Sequence, residues 1–348
     1  GFLRAGEQLA PAALWRLAHA ARDDAVQVVY SDRDGVDEVG RHVEPWFLPD
    51  WAPDHLLAQD YVGGAFVARD TESFRRALDG VVGGAGDWRY ALLLRLTAQK
   101  PRVAHVPEVL WSHPAWRIAD DDTAKHELTT VRSELDSRGI DAEVMTTHVC
   151  PIGVIRQVTW PLREQPLVSV IIPTTGRLEF VEQTIEALAR TAYERTEVIF
   201  LDNSRGRHPE GIGSLRGQAV TVIEQDEPFN WARLNNVGAR HAHGELLLFI
   251  NDDVECTNPD WLSAMVRQAL RPGVGAVGAM MHYPDGSIQH AGVFLVGHGG
   301  GAVHLFRGMD PGSHLYLDWH RVAREVTSVT GACMLVPRGV FADLGGFD

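Results

Sequence analysis

The sequence predicts an α/β fold over residues 166–348, in which a mostly parallel sheet is flanked by helices. Short apolar runs alternate there with segments of helical periodicity, and several of the runs end in polar or acidic residues. Strands that alternate with helices are joined by crossovers, which make neighbouring strands parallel and cover both faces of the sheet. No apolar run reaches the length of about 18 residues that a membrane span needs.

The predicted elements follow one another regularly. An apolar strand at 168–172 (VSVII) is broken at 173–176, and apolar residues then recur at helical spacing over 181–188. A helix is predicted to start at Asn258 and Pro259, with Asn as the cap and Pro in the first turn. Further strands are predicted at 197–201, 220–224, 245–250 and 274–279, and a further helix at 230–242.

Composition and charge exclude several classes of protein. The 348 residues are enough for two domains, and an apolar content of 45% supports a buried core. A net charge of −14 argues against a basic nucleic-acid-binding face, so no nucleic-acid partner is expected. Three widely separated cysteines form no disulfide framework and favour a reducing, cytoplasmic location. The sixteen histidines include no His-x-x-x-His pair on a predicted helix, so no zinc site is predicted.

The sharpest candidate site is Asn251, Asp252 and Asp253, directly after the apolar strand 245–250. In an open α/β sheet, ligands bind at the carboxyl ends of the strands. Hard carboxylate oxygens suit Mg²⁺ or Mn²⁺, which in turn hold a diphosphate. A solvated strand-to-loop cap is an equally good interpretation of this position taken alone.

Two other strands end in polar residues on the same edge. Asp202 and Asn203 follow the strand at 197–201, and Asp202 can accept a hydrogen bond from a ribose hydroxyl or a base nitrogen, or form an Asx-turn. Pro173, Thr174 and Thr175 follow the first strand and can line a nucleotide pocket. Three polar strand ends on one edge favour a binding site over three unrelated caps.

Three polar residues, Asn230, Arg233 and Asn236, share one face of the helix that follows. Arg233 can bind a phosphate or belong to a solvated helix face, and Asn230 can bind a ligand or cap the helix. Of the ten tryptophans, Trp231 is one that can stack on a sugar, although packing is the commoner role.

The first 115 residues carry a weaker copy of the same pattern. A strand at 26–30 leads into Asp32 and Asp34, and residues 64–68 (GAFVA) are similar to residues 331–336 (GACMLV). This order indicates an internal duplication, with residues 1–115 as a partial domain and 116–165 as a helical linker with a helix at 125–138.

Several motifs together resemble a known family. VSVIIPTTGR, VIFLDNS, PFNWARLNNVGARHAHGELLLFINDDVE, PDWLSAMVRQALRPGVGAVGAMMHYPDGSIQHAG and VTGACMLVPRGVFADLGGFD are similar, in this order, to family 2 glycosyltransferases of the GT-A fold. The similarity covers residues 168–348 and is greatest to large bacterial enzymes of surface-polysaccharide assembly. GEQLAPAALW, VVYSDRDGVDEVGR, PWFLPDWAPDHLLAQDYVGGAFVARD and RVAHVPEVLW resemble the carboxyl-terminal half of a preceding domain of this type.

The resemblance implies roles by position. Thr174, Asp202 and Asn203 would hold the nucleotide of a nucleotide-diphosphate sugar, and Asp252 and Asp253 would form the acidic motif, with Asp253 the better candidate for the Mn²⁺ or Mg²⁺ ligand. The acceptor would be a saccharide or a lipid-linked saccharide, and lipid-linked acceptors are compatible with peripheral attachment to the inner face of the cell membrane.

The resemblance also implies an inverting reaction. The general base would lie beyond Asp348, so no catalytic residue is assigned and the domain is predicted to be incomplete at residue 348. In the first copy, Asp32 and Asp34 match the acidic motif, and Asp87 is the local candidate for a base.

Two alternatives stay open. A nucleotidyltransferase also uses acids on an α/β sheet, but residues 173–177 (PTTGR) are a poor match to its glycine-rich, basic first loop. A nucleotide- or carbohydrate-binding module without catalysis would also fit a chain that lacks the base.

Overall fold

Two units make up the chain in a computed structural model that describes residues 1–81, 88–114, 119–150, 153–205, 220–296 and 301–348. Unit 1 consists of Gly1–Thr159 together with His314–Glu325, and unit 2 of Trp160–Ser313 together with Val326–Asp348. The predicted linker 116–165 thus contributes to unit 1 as far as Thr159.

Unit 1 contains a mixed sheet and a separate hairpin. Its sheet has the order β1–β5–β2–β3, with β4 also paired to β2. Only the pairing of β2 with β5 is parallel among the described strands of this sheet. The elements are β1 (Gln8–Leu9), α1 (Ala13–Ala20), β2 (Val26–Val36), β3 (His42–Trp46), α2 (Pro53–Ala58), β4 (Phe66–Ala68), α3 (Glu72–Asp79), α4 (Trp88–Thr97), β5 (Arg102–Pro114), α5 (Asp121–Ser137), β6 (Glu143–Cys150), β7 (Gly153–Thr159) and a short 3₁₀ helix at Tyr316–Arg321.

Unit 2 contains the predicted α/β sheet. Its strand order is β10–β9–β8–β11–β17–β12, and two-stranded hairpins pair β13 with β14 and β15 with β16. The elements are β8 (Val168–Thr174), α6 (Leu178–Ala189), β9 (Thr196–Asp202), β10 (Val220–Glu224), α7 (Trp231–His241), β11 (Leu246–Ile250), α8 (Trp261–Ala269), β12 (Val277–Gly278), β13 (Met281–His282), β14 (Ile288–His290), β15 (Val293–Val296), β16 (Gly301–His304), β17 (Cys333–Pro337) and α9 (Arg338–Asp343).

The central strands of unit 2 are apolar on both faces. Every residue of β8 and β11 is buried, as expected for parallel strands that are covered on two sides. Alternate residues enter two different cores: Val170 and Leu248 pack in one, while Ile171 and Phe249 pack in the other. Four neighbouring strands, β10, β9, β8 and β11, are parallel, so the predicted α/β fold with a mostly parallel sheet is confirmed.

Three predicted element boundaries differ from the structure. The first strand continues through Pro173 to Thr174, because both residues still pair with β9. The strand predicted at 274–279 is reduced to Val277–Gly278, which pairs with β17. The predicted cap at Asn258 is wrong: helix α8 begins at Trp261, and the Asn258 side chain instead accepts a hydrogen bond from the Asp260 backbone N–H at 2.9 Å.

None of the helices in the described ranges combines the length and the apolar character needed to cross a bilayer.

Helix α7 packs against β8 and β9 through a glycine. A Cβ atom at Gly238 would lie 2.4 Å from Ile171 Cγ2 and 2.9 Å from Leu201 Cδ2, well inside contact distance. We expect Gly238→Ala to lower the free energy of unfolding by about 1–2 kcal/mol, because overpacking costs about 1–3 kcal/mol and the gain in helix propensity offsets only part of it.

The matched control is Gly339→Ala in helix α9, where an added Cβ meets nothing within 4 Å. This variant should be neutral or more stable by up to about 1 kcal/mol. Urea unfolding followed by tryptophan fluorescence measures both variants, and equal effects of the two substitutions would contradict the packing argument.

Candidate functional site

The polar strand ends meet at one edge of the unit 2 sheet. Strands β8 and β9 are parallel and in register, with Thr174 opposite Asp202. Strand β11 lies on the other side of β8 and runs in the same direction. The carboxyl ends of all three strands therefore lie together, and Asp252 is the second residue after the end of β11.

Thr174 connects the first strand to the acidic motif. Its side chain is 1% exposed, and its hydroxyl oxygen accepts a hydrogen bond from the Gly176 N–H at 3.0 Å. The same side chain is hydrogen-bonded to the carboxylate of Asp252. Of the other two residues predicted on this strand end, Pro173 is buried within β8 and Thr175 is exposed. Thr174 is thus the member of the group that contacts the acidic motif.

The two carboxylates of the motif differ in environment. Asp252 is partly buried and Asp253 is exposed. Burial raises the pKa of Asp252, and the charge of Asp253 raises it further, whereas the Thr174 hydrogen bond and the charge of Arg177 lower it in part. Burial and the charge of Asp253 both disfavour the ionised form of Asp252. A cation bound beside the two carboxylates would stabilise both negative charges.

Thr184, Trp231 and Ala332 hold Asn251 and Asp252 in place. Thr184 of α6 donates its hydroxyl to the backbone oxygen of Asp252 at 2.7 Å. The Trp231 indole N–H donates to the side chain of Asn251 at 3.2 Å, and the Asn251 N–H donates to the backbone oxygen of Ala332 at 3.0 Å. The sequence signal for Thr184 was a polar residue on the apolar face of the predicted helix 181–188.

Asp202 forms the Asx-turn that was one of its two predicted interpretations. Its Oδ1 accepts a hydrogen bond from the Ser204 N–H at 2.9 Å. Asn203 joins the strand end to the segment before α7: its side-chain amide donates to the backbone oxygens of Gln225 and Glu227, the latter at 2.8 Å. Both side chains are buried, so they shape the edge from within the fold.

The three residues of α7 that were predicted to contact the nucleotide form hydrogen bonds or ion pairs with other residues of the protein. Asn230 caps the helix by accepting the Arg233 N–H at 2.9 Å. Arg233 forms an exposed ion pair with Glu227, with a guanidinium N–H to Oε1 distance of 2.6 Å. A phosphate at this position would have to compete with Glu227 for the guanidinium.

Asn236 holds the glycine turn near residue 348. Its amide donates to the Phe347 backbone oxygen at 2.7 Å, and its side-chain oxygen accepts the Phe347 N–H at 2.9 Å. Gly346 adopts a φ of 91°, and a Cβ there would lie 2.6 Å from the Asn236 side-chain oxygen. The structure therefore gives Asn236 a contact that positions this turn.

The acidic strand of unit 1 has the same local pairing as β11. Tyr30 lies opposite Phe66 and the Ser31 N–H donates to the Ala65 oxygen at 3.2 Å. In unit 2, Ile250 lies opposite Cys333, and the Asn251 N–H donates to the Ala332 oxygen. By this register Asp32 corresponds to Asp252, and Arg33 to Asp253.

In unit 1, the side chains of Asp32 and Arg33 contact other residues of the same unit. The Asp32 carboxylate accepts the Leu48 N–H at 2.8 Å and lies 2.9 Å from His105 Nε2. Arg33 lies over the ring of Trp46 at 4.0 Å. The second predicted acid of the first copy, Asp34, has its Oδ2 2.8 Å from His42 Nδ1, and the predicted Asp87 falls outside the described residues.

Comparisons with known proteins give relatives of much greater length. The chain is 36% identical to the O-antigen biosynthesis protein RfbC of Myxococcus xanthus over 100% of the chain, which is 28% of that protein. It is 35% identical to the uncharacterized protein y4gI of Sinorhizobium fredii over 94% of the chain, which is 37% of that protein. The chain thus spans about a third of the length of these relatives.

Solved structures are more distant. A mannosyltransferase of Pyrobaculum calidifontis in complex with GDP-Man and Mn²⁺ is 21% identical, with a TM-score of 0.37 over 53% of this chain and 48% of that chain. Mannosyl-3-phosphoglycerate synthase from Rubrobacter xylanophilus is 17% identical, with a TM-score of 0.33 over 51% of this chain and 55% of that chain. The family model for glycosyl transferase family 2 matches residues 169–345, just over half of the chain. With its parallel sheet and the acidic motif at the sheet edge, the chain belongs to glycosyltransferase family 2.

Proposed function

We propose that unit 2 binds a nucleotide-diphosphate sugar at the edge formed by Thr174, Asp202 and Asp252. The sugar is then transferred, with inversion, to a saccharide or lipid-linked acceptor in cell-surface polysaccharide biosynthesis. The observation that carries this proposal is the meeting of three polar strand ends of a family 2 domain at one parallel sheet edge. The protein is proposed to act in the cytoplasm, where a lipid-linked acceptor would bring it to the inner face of the membrane.

A divalent cation fits the residues at this edge. Asp252 and Asp253 supply hard oxygen ligands, which suit Mg²⁺ and Mn²⁺. Within the described ranges, these two carboxylates are not joined by a third His, Cys, Asp or Glu ligand. This agrees with the usual Mg²⁺ arrangement, in which one or two carboxylates act together with substrate phosphates. The ion, when bound, would neutralise charge on the leaving diphosphate.

Other residues of unit 2 are proposed to hold the acidic motif and to line the nucleotide site. Thr174 holds the Asp252 carboxylate and Thr184 holds the Asp252 backbone oxygen. Trp231 holds the Asn251 side chain, and Asp202 forms the wall next to the nucleotide. We infer that Asn236 is a positioning residue, because the resemblance puts the general base just after the turn that Asn236 holds.

Unit 1 is proposed to be a partial copy without this role. Arg33 stands where unit 2 has Asp253, and a guanidinium repels a cation. The carboxylate of Asp32 is buried against His105 and the Leu48 N–H, which leaves it closed off from a ligand.

Calorimetric titration of the chain with UDP, GDP and dTDP, each with and without Mn²⁺, tests the donor site. We expect one nucleotide to bind only with Mn²⁺, and Asp253→Asn to weaken it by about 2 kcal/mol, or about thirtyfold, because one charged ligand is lost. Asp260→Asn is the matched control, since this exposed acid follows in the same loop and should leave the affinity unchanged.

Nucleotide binding that is independent of both Mn²⁺ and Asp253 would contradict the proposed site. Transfer is tested separately in the intact protein. Metal-dependent nucleotide binding without sugar transfer there would favour the alternative of a non-catalytic binding module.

A second prediction separates Asn236 from the nucleotide ligands. In the intact protein, Asn236→Leu should reduce kcat by up to about a hundredfold while leaving the nucleotide Kd nearly unchanged, because it releases the turn at Phe347 without touching the nucleotide. Initial-rate kinetics and nucleotide titration give the two quantities. A raised nucleotide Kd with an unaltered kcat would show instead that Asn236 is a direct ligand.

A further inference from the structure

A second cluster of metal-ligating side chains lies in unit 1, away from the acidic motif of unit 2. It consists of His148 on β6 together with His314 and Asp318, which belong to the segment His314–Glu325. One ligand atom from each residue lies within 4.8 Å of the other two. His314 Nδ1 is 3.0 Å from Asp318 Oδ2, and the rings of His148 and His314 are 5.9 Å apart.

Two polar atoms of this cluster are buried without a hydrogen bond among the described residues. One is Oδ1 of Asp318, whose side chain is 1% exposed, and the other is Nε2 of His148. Arg321 forms a long ion pair with this carboxylate, with its Nε 4.0 Å from Asp318 Oδ1. Buried carboxylate and imidazole atoms are costly when they make no hydrogen bond, so the occurrence of both in one cluster points to a shared ligand.

The segment that carries two of these residues is fixed to unit 1 by other contacts. The Gln59 side-chain amide donates to the Leu317 oxygen at 3.2 Å, and the Phe47 N–H donates to the Tyr316 hydroxyl at 2.7 Å. Glu325 accepts the Asp54 N–H at 2.9 Å, at the first turn of α2. These contacts place His314 and Asp318 beside β6 whether or not an ion is bound.

The position of His148, the third residue of the cluster, is set by a register shift in the β6–β7 hairpin. Strands β6 and β7 change register between Thr146 and His148, and such a bulge redirects the side chains around it. On the partner strand, Ile155, opposite His148, packs in a small core with Val322 of the same segment. His148 is therefore held at the place where the hairpin and the segment meet within unit 1.

We propose that His148, His314 and Asp318 bind Zn²⁺, and that the ion fastens the segment His314–Glu325 to the β6–β7 hairpin. Two imidazoles and one carboxylate favour zinc, whereas the oxygen-only pair at Asp252 and Asp253 favours Mg²⁺ or Mn²⁺. Three protein ligands leave the fourth tetrahedral position for water. The site does not depend on the proposed transfer reaction.

The geometry needs only a small adjustment. Zinc–ligand distances of about 2.1 Å place tetrahedral ligand atoms about 3.4 Å apart, somewhat closer than the largest separation here. The His314 side chain is 63% exposed, so it can rotate toward the other two residues without displacing core atoms. The competing interpretation is a simple ion pair of His314 with Asp318, four residues apart, in which His148 takes no part.

Titration of the chelator-treated chain with Zn²⁺, and with Co²⁺ as a spectroscopic probe, distinguishes the zinc site from the simple ion pair. We expect one tight equivalent of Zn²⁺ and a visible Co²⁺ spectrum typical of tetrahedral nitrogen and oxygen ligands. His148→Gln and His314→Gln should each weaken Zn²⁺ binding by about a hundredfold or more, since even second-shell changes cost ten- to a hundredfold.

Two variants serve as controls. Asp253→Asn removes the other proposed metal ligand, and His282→Gln removes an exposed histidine outside the cluster, so both should retain the tight equivalent. His314→Gln changes an exposed side chain and is expected to keep the native circular dichroism spectrum, which makes its loss of zinc attributable to the site. A wild-type chain without a tight equivalent, or a His314→Gln variant that binds Zn²⁺ as the wild type does, would overturn the proposal.

Discussion

The parallel pairing of β9, β8 and β11 is the constraint on which the candidate site depends. Because the three strands run in one direction, Thr174, Asp202 and the residues after Ile250 all emerge at the same edge. Strand β17 is antiparallel and lies beside β11, so its beginning, rather than its end, reaches that edge. The Ala332 carbonyl oxygen is thereby available to hold the Asn251 N–H, which fixes the start of the acidic loop.

Helix α7 links the acidic motif to the glycine turn near residue 348. From its first turn, Trp231 bonds to Asn251 of the acidic motif, and from its second turn, Asn236 bonds to Phe347. The ring of Phe347 also packs on Trp231, with centroids 4.9 Å apart. A displacement of α7 would therefore move the acidic loop and the glycine turn together, so this helix keeps the two in one geometry.

The local pattern of apolar and polar residues predicts most of the strands and helices of unit 2. The apolar runs gave the central strands, and the Asn230 cap follows from a side-chain oxygen that can reach the N–H of a residue three positions on. Such a local pattern does not predict contacts between residues that are far apart in the sequence. The bonds from Asn236 to Phe347 cross 111 positions, and only the folded chain shows that this amide is not free for a nucleotide.

The histidines illustrate the same limit. A zinc site is predicted from sequence by ligands at short spacing on one helix, whereas His148 is 166 positions away from His314. In that cluster, only the pair His314 and Asp318 has a local spacing, and a pair four residues apart is usual for an ordinary ion pair. The element that brings His148 to them is a strand bulge, a feature that an apolar and polar pattern does not reveal.

The two proposed metal sites differ in what completes them, and this bears on how each would act. At the unit 2 edge, two carboxylates leave most of the coordination shell to diphosphate oxygens and water, so binding of the ion and of the nucleotide must favour one another. In unit 1, three protein ligands nearly fill a tetrahedral shell, so that ion would bind without a substrate and contribute directly to folding. The register shared by β2 and β11 sharpens the contrast: where unit 2 has Asp253, the proposed metal ligand, unit 1 has Arg33, whose charge repels a cation. A cation in unit 1 would therefore bind elsewhere, and the cluster of His148, His314 and Asp318 is where we propose that it binds.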